Sequence, residues 1–69
     1  KNDSEQQLKL INSYLERYKL DPLAWEDKVN ILLRQEKRAE ALETVSKARE
    51  LMPNNSKMRK LQEKLMKNE

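Results

Sequence analysis

The sequence predicts an all-α chain, built as four short helices folded into antiparallel hairpins within one domain. Three observations carry that expectation. Glycine is absent and proline occurs only twice, so little interrupts a helix. Leu, Lys, Glu, Gln, Arg and Ala, all strong helix formers, supply much of the composition. Apolar residues recur at three- and four-residue steps in four successive segments, each separated from the next by a short polar or proline-containing stretch.

The first helix is expected over about residues 4–19. Asp3 or Ser4 can cap it, and Ser4 with Gln7 has capping-box spacing. Leu8, Ile11, Leu15 and Tyr18 make its apolar stripe, which Tyr14 widens. Asp21–Pro22 ends that helix and opens the next, because proline disfavours helical geometry in the residue before it and suits the first helical position. The second helix, about 22–35, carries Trp25, Val29 and Leu32 on one face. Leu23, Ile31 and Leu33 fall elsewhere on the cylinder, so it should lie between neighbours. Glu36–Lys37 marks a tight turn without the usual C-cap glycine.

The third helix, about 38–52, has a stripe of Ala41, Leu42, Val45, Ala48 and Leu51 and stops at Pro53-Asn54-Asn55. The fourth, about 56–67, sets Met58, Leu61 and Leu65 at helical spacing among lysines and arginines. Short connections force sequential helices to pack antiparallel.

Size and composition narrow the function. A chain of 69 residues is one domain with a small core. It has no cysteine for a disulfide and no histidine, so the commonest catalytic bases, nucleophiles and transition-metal ligands are missing. Without glycine there is no glycine-rich phosphate loop. Neither an enzyme nor a cofactor or metal site is expected. No apolar run approaches the ~20 residues of a membrane span, and no signal peptide pattern is present. Nothing points to an oxidising compartment, so an intracellular, cytoplasmic setting is the expectation. The chain begins at Lys1 and reads as a fragment. Net charge is +3, with −1 in residues 1–36 and +4 in residues 37–69, a milder asymmetry than a nucleic-acid binder usually shows.

Within this frame the segment Ala24–Asn55 resembles a tetratricopeptide repeat. Trp25 matches the opening aromatic and Leu32 the tyrosine slot. Ala41, Val45 and Ala48 match the alanine, large apolar and alanine slots, and Pro53 the closing proline. Lys28 and Val29 depart from the family's Leu-Gly pair. A glycine there lets the two helices approach closely, so Val29 opposite Ala41 should separate them slightly. Lys28 can lay its stem along the interface and keep its amine in water. The first helix resembles the second helix of a preceding repeat, with Tyr14 and Pro22 in matching slots and Leu10 and Arg17 in the two alanine slots. The competing reading is an unrelated four-helix bundle with coincidental alanines.

The resemblance implies protein–protein interaction through a concave face lined by the first helix of each pair. The matching positions are Leu23, Glu26, Asn30, Leu33 and Arg34. Asn30 and Arg34, one turn apart, could hold a partner's carboxylate or backbone carbonyl; solvation is the plainer reading of each. The clamp by which some relatives grip a chaperone's terminal carboxylate needs a lysine where Glu26 stands, and so is not expected. The fourth helix offers a second candidate surface in Lys57, Arg59, Lys60, Lys64 and Lys67. It reads either as a cap or as a basic face for RNA, a membrane or an acidic partner. It carries no aromatic residue, which argues against base stacking and interfacial anchoring. The expected partner is therefore a protein, as a peptide or helix, or a second copy meeting an open repeat end. A structural segment of a larger complex is the remaining alternative.

Overall fold

The computed structural model describes residues 3–67. Four helices follow in order: α1 Asp3–Arg17, α2 Pro22–Arg34, α3 Arg38–Leu51 and α4 Ser56–Lys67. The chain is all-α, and neighbouring helices pack as hairpins. Among the described residues no helix is long and apolar enough to cross a membrane.

The central element is α2, which touches all three other helices and packs most extensively on α3. Its sequence explains this. Trp25, Val29 and Leu32 are buried, as the periodicity requires, and Ala24 and Ile31 are buried too. From α3 come Ala41, Val45 and Ala48, none with any exposed surface. From α4 come Met58, Leu61 and Leu65, and from α1 Leu15 with Leu8 and Ile11 packed beside it. Burying each large side chain contributes about 1.5–3 kcal/mol, the main term holding so short a chain together. Val29 and Ala41 are both fully buried in this core.

Polar groups fix the connections. Asp21 caps α2 by accepting from the Leu23 amide at 3.1 Å, with Pro22 in the first turn. The Trp25 indole donates to the Lys19 carbonyl at 2.6 Å, which ties α2 to the chain just past α1. The turn after α2 is a Schellman motif: Lys37 N–H bonds to Leu32 O at 2.9 Å and Glu36 N–H to Leu33 O at 3.0 Å. Glu36 occupies its left-handed position, with φ 62°. The left-handed position for which the sequence offered no glycine is thus filled by a glutamate. Asn55 caps α4 through the Met58 amide at 3.1 Å. Between α3 and α4, Arg38 donates to the Leu65 carbonyl. Arg49 donates to Gln62 at 2.7 Å.

The result is an open array. Among the described residues α1 makes no close backbone approach to α3 or α4, and the chain measures 36 × 32 × 14 Å. Helices of 12 and 15 residues are only about 18–22 Å long, so extents of 36 and 32 Å reflect helices spread sideways rather than closed two by two.

Several expectations need correction. Ser4 lies inside the first turn of α1 rather than capping it, so the Ser4–Gln7 box is not its start; the Asp3 side chain lies outside the described residues. The first helix ends at Arg17, and Tyr18, assigned to its stripe, is 53% exposed just beyond it. Tyr14 is 42% exposed because its hydroxyl turns to the Asp21 carboxylate at 2.7 Å. Leu51, assigned to the α3 stripe, is half-exposed because it borders the open space between α1 and α3. The second and third helices each end one residue early, at Arg34 and Leu51, with Gln35 and Met52 as C-caps.

Candidate interaction surfaces

Of the five positions proposed for a concave face, Leu23, Asn30 and Arg34 lie on the side of α2 away from its core stripe. Helical geometry dictates this: Leu23, Asn30 and Arg34 recur at seven- and four-residue steps, and all three are exposed. Glu26 and Leu33 sit one step round the helix and are partly buried. The flanking helices then place four of the five in two grooves.

Glu26 faces α4. Its carboxylate pairs with the Lys57 ammonium at 3.4 Å. Both side chains are partly exposed, so the pair adds little to stability. It does bring the two candidate sets together. Glu26, Lys57, Lys60, Leu61 and Lys64 line one groove of about 310 Å³ between α2 and α4. Three of the five basic residues of the last helix therefore belong to the groove. Arg59 and Lys67 do not line it, and Arg59 instead lies 4.0 Å from Glu63 one turn along its own helix. Leu33 packs against the core rather than into either groove.

Asn30 and Arg34 face α1. With Gln7, Leu10, Ile11, Asp27 and Ile31 they line a groove of about 340 Å³. Arg34 reaches the Gln7 side-chain oxygen at 3.5 Å, a long contact that leaves the guanidinium largely free. Leu23 lines the continuation of this groove with Leu10, Tyr14, Asp21 and Asp27, about 420 Å³. The hydrogen bond from Tyr14, helped by the Ala24 and Leu23 amides, holds the Asp21 carboxyl below its ordinary pKa. The same bond raises the Tyr14 phenol.

A third groove, about 670 Å³, opens between α1 and α3. Trp25 and Lys28 lie at its base, with Lys19 and Lys47 among its lining. The Lys28 ammonium sits 5.9 Å from the Trp25 ring centroid, which fits the stem-along-the-interface reading. Burial and then the Lys47 charge lower its pKa, and Glu40 opposes them. Among the described residues no three His, Cys, Asp or Glu side chains gather where they could hold a metal ion.

Sequence reasoning missed Asp27, Leu10 and Leu61 as groove residues. Asp27 lies seven residues from Arg34, so helical spacing already set the two on one side of α2. The part played by Leu10 and Leu61 depends on which helices flank α2, which spacing within one helix does not encode. No family model, curated protein or solved structure matches the chain.

Proposed function

We propose that this chain is a protein-interaction module of tetratricopeptide type, with a binding rather than a catalytic role, and that it receives an acidic peptide segment in the groove between α2 and α4. The observation that carries the reading is the convergence of Lys57, Lys60 and Lys64 on a groove with an apolar floor at Leu61. Lysines one and two turns apart on one helix edge offer an extended partner successive cations. Leu61 offers a side-chain contact between them. Glu26 engages Lys57, so the cations of this groove without an ion pair among the described residues are Lys60 and Lys64.

The open array, in which α1 closely approaches neither α3 nor α4 among the described residues, and the fit of Trp25, Ala41, Val45, Ala48 and Pro53 to the repeat pattern support the same reading. A basic helix serving RNA or a membrane surface is less well supported. Three of its lysines turn toward α2, which leaves Arg59 and Lys67 outside the groove. The test is fluorescence anisotropy with a labelled peptide of alternating Glu and Leu, and with its Gln-for-Glu counterpart. The acidic peptide should bind and weaken with salt, and Lys60→Glu with Lys64→Glu should cost at least tenfold in affinity. Equal binding of the two peptides, or no effect of the double variant, refutes the proposal.

A further inference from the structure

Among the described residues seven large apolar side chains remain substantially exposed, and five of them fall within residues 10–23: Leu10, Tyr14, Tyr18, Leu20 and Leu23. Three of these five, Leu10, Tyr14 and Leu23, line one groove between α1 and α2. Tyr18 stacks beside Tyr14, ring centroids 4.8 Å apart.

The bareness of this face has a structural explanation within the chain. On α3 the residues Ala41, Val45 and Ala48 have no exposed surface, because α2 covers them. The residues of α1 at the same spacing are Leu10, Tyr14 and Arg17, each followed by a proline at the same interval, Pro22 after α1 and Pro53 after α3. On α1 nothing covers that row, and all three residues are exposed. The row is therefore the counterpart of a buried helix seam, left open.

We infer that a second copy of this chain covers it, in a two-fold contact between the α1–α2 faces of the two copies. Charge favours this occupant. Residues 37–69 carry +4, so contacts between the C-terminal halves of two copies are repulsive. The α1–α2 face escapes this. Asp21 and Asp27 are balanced there by Arg17 and Arg34, and none of the four is in an ion pair among the described residues. A neutral face bearing both signs can meet itself under two-fold symmetry and match unlike charges across the axis. Area agrees. Leu10, Tyr14, Tyr18 and Leu23, so exposed, present on the order of 400 Å² of apolar surface, a large patch for a single chain. Two such faces with their polar rims reach roughly 1,000–1,200 Å², the lower end for a specific interface, so the dimer should be of micromolar rather than nanomolar strength. The contact lies on the other side of α2 from the α4 groove and does not depend on peptide binding there.

The experiment is sedimentation velocity across a wide concentration range on the 69-residue chain and three variants. The wild-type mass should rise from 8.3 kDa toward twice that value. Leu10→Glu and Leu23→Glu alter side chains that are 66% and 60% exposed in the single chain, so they should leave its helicity and Trp25 fluorescence unchanged. Each should weaken association at least tenfold. Met66→Glu alters an equally exposed side chain on α4 and should leave association intact. A wild-type chain that stays monomeric at every concentration overturns the inference. So does a dimer insensitive to both leucine variants, or one that Met66→Glu weakens equally. Lys60→Glu with Lys64→Glu should leave the dimer unchanged, which separates failure here from failure of the peptide-groove proposal.

Discussion

Replacing Glu36 with glycine should stabilise the chain, although glycine is the weaker helix former. Glu36 holds φ 62° at the position between α2 and α3 where a Schellman turn requires left-handed backbone. A residue with a Cβ in that conformation carries a penalty of roughly 1–2 kcal/mol. Glycine relieves it, and its extra freedom in the unfolded chain returns about 0.5–1 kcal/mol of the gain. The net effect is about 0.5–1 kcal/mol of added stability. For a chain this size, with a total on the order of 3–10 kcal/mol, that is a measurable share. It corresponds to a rise of about 3–6 °C in Tm. The assay is thermal and urea unfolding followed by helical circular dichroism and by Trp25, the only tryptophan and a buried one. Glu36→Ala is the control. It removes the same exposed charge but keeps a Cβ, and should stay within about 0.5 kcal/mol of wild type. Equal effects of Gly and Ala, or a loss of stability with Gly, would show that position 36 is not left-handed.

Ala41→Leu places a larger side chain where no surface is exposed, in the α2–α3 seam, and should cost about 1–3 kcal/mol by overpacking. Ala39→Leu on the exposed side of the same helix should be near neutral, and the difference between the two urea midpoints reads the seam directly. Tyr14→Phe removes the main cause of the lowered Asp21 pKa, so the Asp21 carboxyl should titrate nearer its ordinary value by NMR. The folded pKa lies below the unfolded one. Asp21 therefore contributes stability that is present above the ordinary carboxylate pKa and is lost as pH falls through the lowered folded value. Stability curves of wild type and Tyr14→Phe should converge in strong acid and part above it; parallel curves across that range refute the assignment.

The seams of this fold were legible because they repeat at helical spacing. Trp25, Val29 and Leu32 could face only one way on α2, and Ala41, Val45 and Ala48 supplied the small surface to receive them. Asp21–Pro22 announced a helix start through two independent preferences, and the structure uses both. The outer face of α1 was harder to read. Tyr14 and Tyr18 look like core residues by type and spacing, but burial requires a neighbour, and a stripe in one helix cannot say whether that neighbour exists. The grooves were hidden for a related reason. Glu26 and Lys57 stand 31 positions apart and meet only because α4 folds back on α2. Glu36 was readable as a turn but not as left-handed, since glutamate carries no preference for that conformation.

The binding proposal is tested most directly by mapping amide chemical shifts of the isotopically labelled chain during titration with the acidic Glu-Leu peptide. The proposal predicts saturable shifts concentrated at Glu26, Lys57, Lys60, Leu61 and Lys64, with the α1–α3 groove around Lys47 unmoved. Shifts centred on that groove, or none at millimolar peptide, would contradict it.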